Sequence, residues 1–459
     1  MEIILYIIVA FLGMAFLFFL AEYPYHLVGF FIFIINYDYN YELPGPLDLR
    51  GFLTLAFFLR IIVFDKENLN LILNLLITNR LFLLILFFGI YFAIVTYINT
   101  NSYLAPIRMF IFEEVGLLLG FITVYKGYAK KAFFSGIIFA GIFSTADLIY
   151  SYTISSGTFF NRRILDVLSK SDFDAFLNHN VFGMLIGIAI VTTFMVAIIK
   201  QINKILSFLL FAIFGIGILI STSRGTLLAV FVSFFVGLIV LPKHLIDFKK
   251  IIIVGLKSLL FFSLIIGGYL IFIKSINMDS KFADEIYYRL IEEPQSIFEG
   301  KSKEFTSSGS IKVGTIEWRM NQASRDLGVF FNQPLSTQLL GYGEAGYTKI
   351  GQKEWTNKGL LQQYASHNGF VLIIIERGLL GLFIFIIVFI YLLFVSIKSF
   401  RKDTSVFPFF IIIVFYLVFS YGAQAQLLGR FAYILFGAII AQAELFENTE
   451  HEESLEILI

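Results

Sequence analysis

The chain has 459 residues, 58% of them hydrophobic and only 15% charged, with a mean hydropathy of +0.84. Soluble domains carry roughly 25% charged residues, so this composition excludes an ordinary soluble fold and predicts a helical integral membrane protein. A net charge of +1 gives no global field for nucleic acid, and the lack of cysteine excludes disulfides, thiol catalysis and cysteine metal sites.

In chain order, the apolar run 3–20 is predicted to be a retained anchor, because Glu2 replaces the basic start of a signal peptide. The segment 27–35 is short and follows Pro24; it either continues the first helix beyond a kink or re-enters the membrane. Further runs at 81–98, 131–150, 181–199, 205–220, 226–241, 251–273 and 379–397 approach or reach the length that crosses a bilayer. Taking 1–36 as one crossing predicts about twelve spans with both ends inside. Basic clusters at Lys126, Lys130 and Lys131, at Lys200 and Lys204, at Lys243, Lys249 and Lys250, and at Lys398, Arg401 and Lys402 mark the cytoplasmic connections. The connections 151–175, 221–224 and 274–368 then face outward. The first holds an amphipathic patch at 162–168 that predicts an interfacial helix.

The largest outer loop has helical periodicity at 281–292 and 315–331. Asn332-Gln333-Pro334 ends the second of these, and Gly341 to Gly346 forms a glycine-rich turn. The expected architecture is all-α, a polytopic bundle. Transmembrane helices occupy 1–273, a large, mostly helical outer loop 274–368, further transmembrane helices 369–443, and an acidic cytoplasmic tail 444–459.

Chemistry-bearing residues gather at the outer ends of spans. Ser366-His367-Asn368 runs straight into an apolar segment, and polar side chains beside hydrocarbon are functional candidates by default. His367 is either an interfacial histidine or a general base; Asn368 either orients it or caps the following helix. Arg224, after Ser221-Thr222-Ser223, either snorkels to the interface or offers a guanidinium fork to a phosphate. Arg319 is either an exposed helix arginine paired with Glu317 or Asp326, or a second phosphate clamp. Arg325 falls about 240° around the same helix and does not serve the same site. His179-Asn180 starts another span and reads first as a helix cap. Glu376 and Arg377 sit inside their span and read as a structural lock on the bundle. The five histidines form no metal pair at helical spacing, so no metal site is predicted.

Four stretches together resemble the O-antigen ligase and O-antigen polymerase superfamily of bacterial envelope enzymes. They are Ser221-Thr222-Ser223-Arg224-Gly225; Arg319 followed by Pro334-Leu335 and Gly341-Tyr342-Gly343; Ser366-His367-Asn368 with Glu376-Arg377-Gly378-Leu379-Leu380-Gly381; and, more weakly, His179-Asn180. Two features depart from the family pattern: Ala323 stands where a tryptophan is common, and Ser336 to Leu339 lengthen the approach to the glycine turn. The resemblance implies a cofactor-free, metal-independent transfer of a glycan from an undecaprenyl-diphosphate carrier at the periplasmic face of the inner membrane. Arg224 and Arg319 would hold the diphosphate and His367 would activate the acceptor hydroxyl. Ser223, Asn368, His179, Asn180 and Tyr342 would contact substrate. The implied partners are the lipid-linked donor, a lipid A-core or glycan acceptor, and membrane lipids.

The first expectation is a ligase acting on a lipid A-core acceptor. A polymerase extending the lipid-linked glycan uses the same donor chemistry. A non-catalytic polysaccharide transporter fits the many spans but would carry its intramembrane charges along a path.

Overall fold

The computed structural model describes residues 66–100, 107, 111–125, 129–156, 179–199, 202–221, 223–240, 305–307, 310–312, 315–343, 346, 350, 353–355, 361–363, 368–422 and 430–456. The predicted anchor at 3–20, the interfacial helix at 162–168, the span 251–273, the helix at 281–292 and His367 lie outside them.

The described helices are α1 (Lys66–Thr78), α2 (Arg80–Thr100), α3 (Gly116–Tyr125, entered through a π-helical turn at Ile111–Val115), α4 (Ala129–Ser156), α5 (His179–Ile198), α6 (Lys204–Ser221), α7 (Arg224–Val240), α8 (Thr315–Phe331), α9 (Leu335–Leu340), α10 (Gly369–Lys402), α11 (Phe407–Gly422) and α12 (Arg430–Glu456). Among the described residues, Arg80–Thr100, Gly369–Lys402 and Thr404–Tyr421 are long and apolar enough to cross a membrane, and shorter apolar helices accompany them. The protein is thus a helical membrane protein. The segment predicted as a large loop adds two small antiparallel pairs that periodicity did not predict: β1 (Phe305–Ser307) with β2 (Ser310–Lys312), and β3 (Lys353–Trp355) with β4 (Leu361–Gln363). The acidic tail is not set off by a break, since α12 runs on through it.

One core joins the spans, with Phe121, Phe133, Phe214, Phe389, Phe415 and Tyr433 among its buried side chains. Its tightest crossing is α3 on α12. A Cβ on Gly437 would come within 2.7 Å of Phe121 N, and one on Gly120 within 2.7 Å of Ile434 C, so only glycine lets the two backbones approach.

Directions along the bundle follow from glycine contacts. A Cβ on Gly237, near the end of α7, would meet Met195 near the end of α5 and Ile411 near the start of α11. α11 begins just after α10 ends, where Arg401 and Lys402 complement the last helical carbonyls. The ends of α5, α7 and α10 therefore share one side of the bundle. Their starts, at His179, Arg224 and Asn368–Gly369, share the other.

Candidate functional site: three helix starts at one end of the bundle and the loop docked beside them

The Ser-rich arginine motif joins the end of α6 at Ser221 to the start of α7 at Arg224. Ser223 is buried and accepts a hydrogen bond from Thr226 Oγ1 at 2.9 Å, and its carbonyl accepts from Leu227 N at 3.2 Å. Arg224 is the first residue of α7. A cation there opposes the helix dipole, so the position does not favour stability; helix start and guanidinium both favour an anion. One turn into α5, a Cβ on Gly183 would lie 2.8 Å from Ser223 Cβ and 2.6 Å from Thr226 Oγ1. The fold thus brings the His179-Asn180 start beside the Ser223-Arg224 start.

Asn368 acts as a cap. It is extended (φ −122°, ψ 116°), and its side-chain oxygen accepts from Phe370 N at 3.0 Å and Val371 N at 3.3 Å. His367, the residue just before this cap in the sequence, lies outside the described residues.

Ten residues on from this cap, α10 breaks. Gly378 takes φ 68°, ψ −176°, a region open essentially only to glycine. The break leaves two carbonyls of α10 for the loop: Tyr342 N donates to Ile375 O at 2.9 Å and Gly343 N to Glu376 O at 2.8 Å. Gly341, in the same backbone region (φ 78°, ψ −174°), ends α9 and donates to Thr337 O at 2.8 Å. The two glycines interlock. A Cβ on Gly341 would come 2.5 Å from Gly378 N, and one on Gly378 would come 2.6 Å from Gly341 N. The four residues Ser336 to Leu339 that lengthen this approach lie inside the six-residue α9 that delivers the turn.

Below the docked turn lies Arg377, 1% exposed. Its Nη2 pairs with Glu113 Oε1 at 2.7 Å and its Nη1 donates to Tyr433 Oη at 3.2 Å, while Tyr433 Oη donates to Glu113 Oε2 at 2.8 Å. The guanidinium carbon sits 3.8 Å from the Phe92 ring centroid and 4.8 Å from that of Phe88. Tyr91 Oη lies 2.9 Å from Leu340 O and 3.4 Å from Arg377 O, tying α2 to both sides of the joint. Arg377 is therefore a bolt between four segments, as the lock reading expected. Its partners were not identified from sequence. The signal was available: Glu113-Glu114 is an acidic pair inside an apolar run, and such residues need a partner. Glu114 is also buried, and neither of its carboxylate oxygens has a hydrogen-bond partner among the described residues.

The loop helix α8 packs on the first turns of α10 through Phe330, Ile350, Val371 and Ile375, with Ala323, Leu327 and Tyr342 around them. Tyr342 is half-buried, its ring edge-on to Phe330 at 6.4 Å, and burial raises its hydroxyl pKa. Positions 319, 322, 326 and 330 fall on one stripe at helical spacing. Gln322, Asp326 and Phe330 on that stripe are buried, while Arg325 is exposed on the far face as expected. Asp326 was read only as a surface partner for Arg319. Instead, burial pushes its carboxyl up to about 6 against the lowering effect of Arg325, and both its oxygens lack a hydrogen-bond partner among the described residues.

The fold and site define a polytopic helical membrane protein in which the loop segment 315–343 docks onto a broken span near several conspicuous helix starts. Residues 208–386 match the family model described as O-Antigen ligase. This bears out the resemblance, and the matched segment takes in every candidate site residue except His179 and Asn180. Glu113 and Tyr433, the partners of Arg377, lie outside it. No curated protein matches the chain.

Proposed function

We propose that the protein is a membrane glycosyltransferase of the O-antigen ligase type. It moves a glycan from undecaprenyl diphosphate to a lipid A-core acceptor at the periplasmic face of the bacterial inner membrane. The observation that carries this reading is the match over 208–386, a segment whose motif-bearing helix starts at Arg224 and Asn368 share one end of the bundle.

In the proposed reaction the acceptor hydroxyl attacks the anomeric carbon of the donor. The bond from that carbon to the diphosphate oxygen breaks, a new glycosidic bond forms, and His367 takes the hydroxyl proton. Negative charge develops on the leaving diphosphate. Arg224 and Arg319 compensate it with guanidinium groups that stay charged at all relevant pH values, so no metal is required.

The test uses purified protein with lipid-linked donor and acceptor in excess EDTA. Transfer should persist there and disappear in His367→Ala at equal expression. Loss of transfer in EDTA with recovery on adding magnesium would overturn the metal-free mechanism. Wild-type transfer by His367→Ala would remove that residue from catalysis. The lipopolysaccharide pattern of a deletion strain separates acceptors: loss of all long chains with accumulated lipid-linked polymer means ligase, whereas a core carrying a single repeat means polymerase.

A further inference from the structure

The end of α8 and the apolar side chains of α9 present a surface that no described residue covers. Val329 is 43% exposed, Phe331 47%, Leu335 68% and Leu340 41%. From Val329 to Leu340 the sequence VFFNQPLSTQLL has no charged residue. The exposed polar residues of α8, Asn321, Ser324 and Arg325, belong to its earlier turns; Met320, also exposed, stands among them and apart from this surface.

Two observations say what covers the surface. The first is continuity with the lipid-facing belt. Tyr91 Oη bonds Leu340 O at 2.9 Å, which sets the end of α9 against α2. There α2 exposes Phe87, Ile90 and Ile94. Just below the Gly378 joint, α10 exposes Leu380 and Phe383. Both helices are membrane-spanning in length and composition, so these side chains meet hydrocarbon, and the α9 surface prolongs theirs.

The second is how the segment handles its own polar groups. A chain in contact with acyl chains must satisfy its carbonyls internally. Gln338 Nε2 donates to Phe331 O at 2.9 Å and to Gln333 O at 2.8 Å, and Gln333 Nε2 donates to Val329 O at 3.1 Å. Both glutamines fold back onto open carbonyls, those of Val329 and Phe331 at the end of α8 and that of Gln333 in the bend after it.

We propose that residues 329–340 form a membrane-surface anchor lying at the headgroup–acyl boundary of the outer leaflet, with Val329, Phe331, Leu335 and Leu340 in contact with acyl chains of bilayer lipids. The anchor fixes the depth of the Gly341–Gly343 turn and of the joint it docks on. It does not depend on the glycan-transfer reading.

The chain has no cysteine, so single labels are placed without background. Leu335→Cys, Phe331→Cys, Arg325→Cys and, as an in-span reference, Phe383→Cys are labelled with a nitroxide in the full-length protein in phospholipid vesicles. All four positions are exposed, which keeps the fold intact; wild-type thermal stability of each labelled protein checks this. Collision with oxygen, which concentrates in hydrocarbon, is compared with collision with a water-soluble nickel chelate. The expected result is an oxygen-dominated response at 335 and 331 resembling that at 383, and a chelate-dominated response at 325. A chelate response at 335 as strong as that at 325 overturns the proposal. So does an immobilised label at 335 that neither reagent reaches, which would mean that a second copy of the chain covers the surface.

Discussion

Replacing Gly378 with alanine tests the joint between loop and bundle most directly. The perturbation has two parts. An alanine at φ 68°, ψ −176° sits in a backbone region that costs of order 1–3 kcal/mol. Its Cβ would also stand 2.5 Å from Leu339 C and 2.6 Å from Gly341 N, both backbone atoms that cannot swing aside. The loop must move off, and the hydrogen bonds Tyr342 N to Ile375 O and Gly343 N to Glu376 O are lost. At a net of about 0.5–1.5 kcal/mol per bond, the expected destabilisation is about 2–6 kcal/mol. Gly328 supplies the contrast. It lies inside α8 with nothing within 4 Å of its would-be Cβ, so Gly328→Ala should stabilise by about 1 kcal/mol through helix propensity alone. Thermal unfolding in lipid nanodiscs reads both signs, and hydrogen exchange at the Tyr342 and Gly343 amides localises the effect. A Gly378→Ala protein as stable as wild type, with those amides still protected, would refute the docking argument.

Arg377→Leu should destabilise by about 3–5 kcal/mol, because it leaves Glu113 buried without its cation; Glu113→Gln in the same background should recover part of that loss in a double-mutant cycle of melting temperatures. Asp326→Asn should raise the melting temperature above about pH 6 and change little near pH 4. A carboxyl raised from 3.8 to about 6 in the folded protein favours the fold when protonated, and that contribution is lost as pH climbs through the window. A pH series of both proteins checks the sign. Arg224→Lys should lose most glycan transfer while folding normally, since a point charge does not replace a bidentate fork; a transfer assay on protein of matched stability reads it.

Much of the frame was legible because its signals are local. The bounds 315–331 follow from apolar spacing and from Asn332-Gln333-Pro334, and α8 spans Thr315–Phe331. The predicted runs 81–98, 205–220 and 226–241 become Arg80–Thr100, Lys204–Ser221 and Arg224–Val240. What escaped needed a third dimension. The break at Gly378 was invisible because the apolar run continues on both sides of it. The acceptor of Arg377 lies 264 residues away on a π-helical turn, a distance no periodicity spans. The strands β1 to β4 hold three residues each, too few to show alternation. Asp326 looked like a surface charge because sequence alone does not reveal which face of α8 meets α10.

The joint also dictates an order of assembly. The carbonyls that receive the glycine turn belong to Ile375 and Glu376, which are synthesised after the turn itself. The hydroxyl that braces Arg377 comes from Tyr433 on the last described helix. The glycine turn therefore leaves the ribosome before its seat exists, and the seat is braced only when α12 arrives. A nascent chain stopped short of Tyr433 would lack the hydroxyl that braces Arg377 beneath the docked glycine turn.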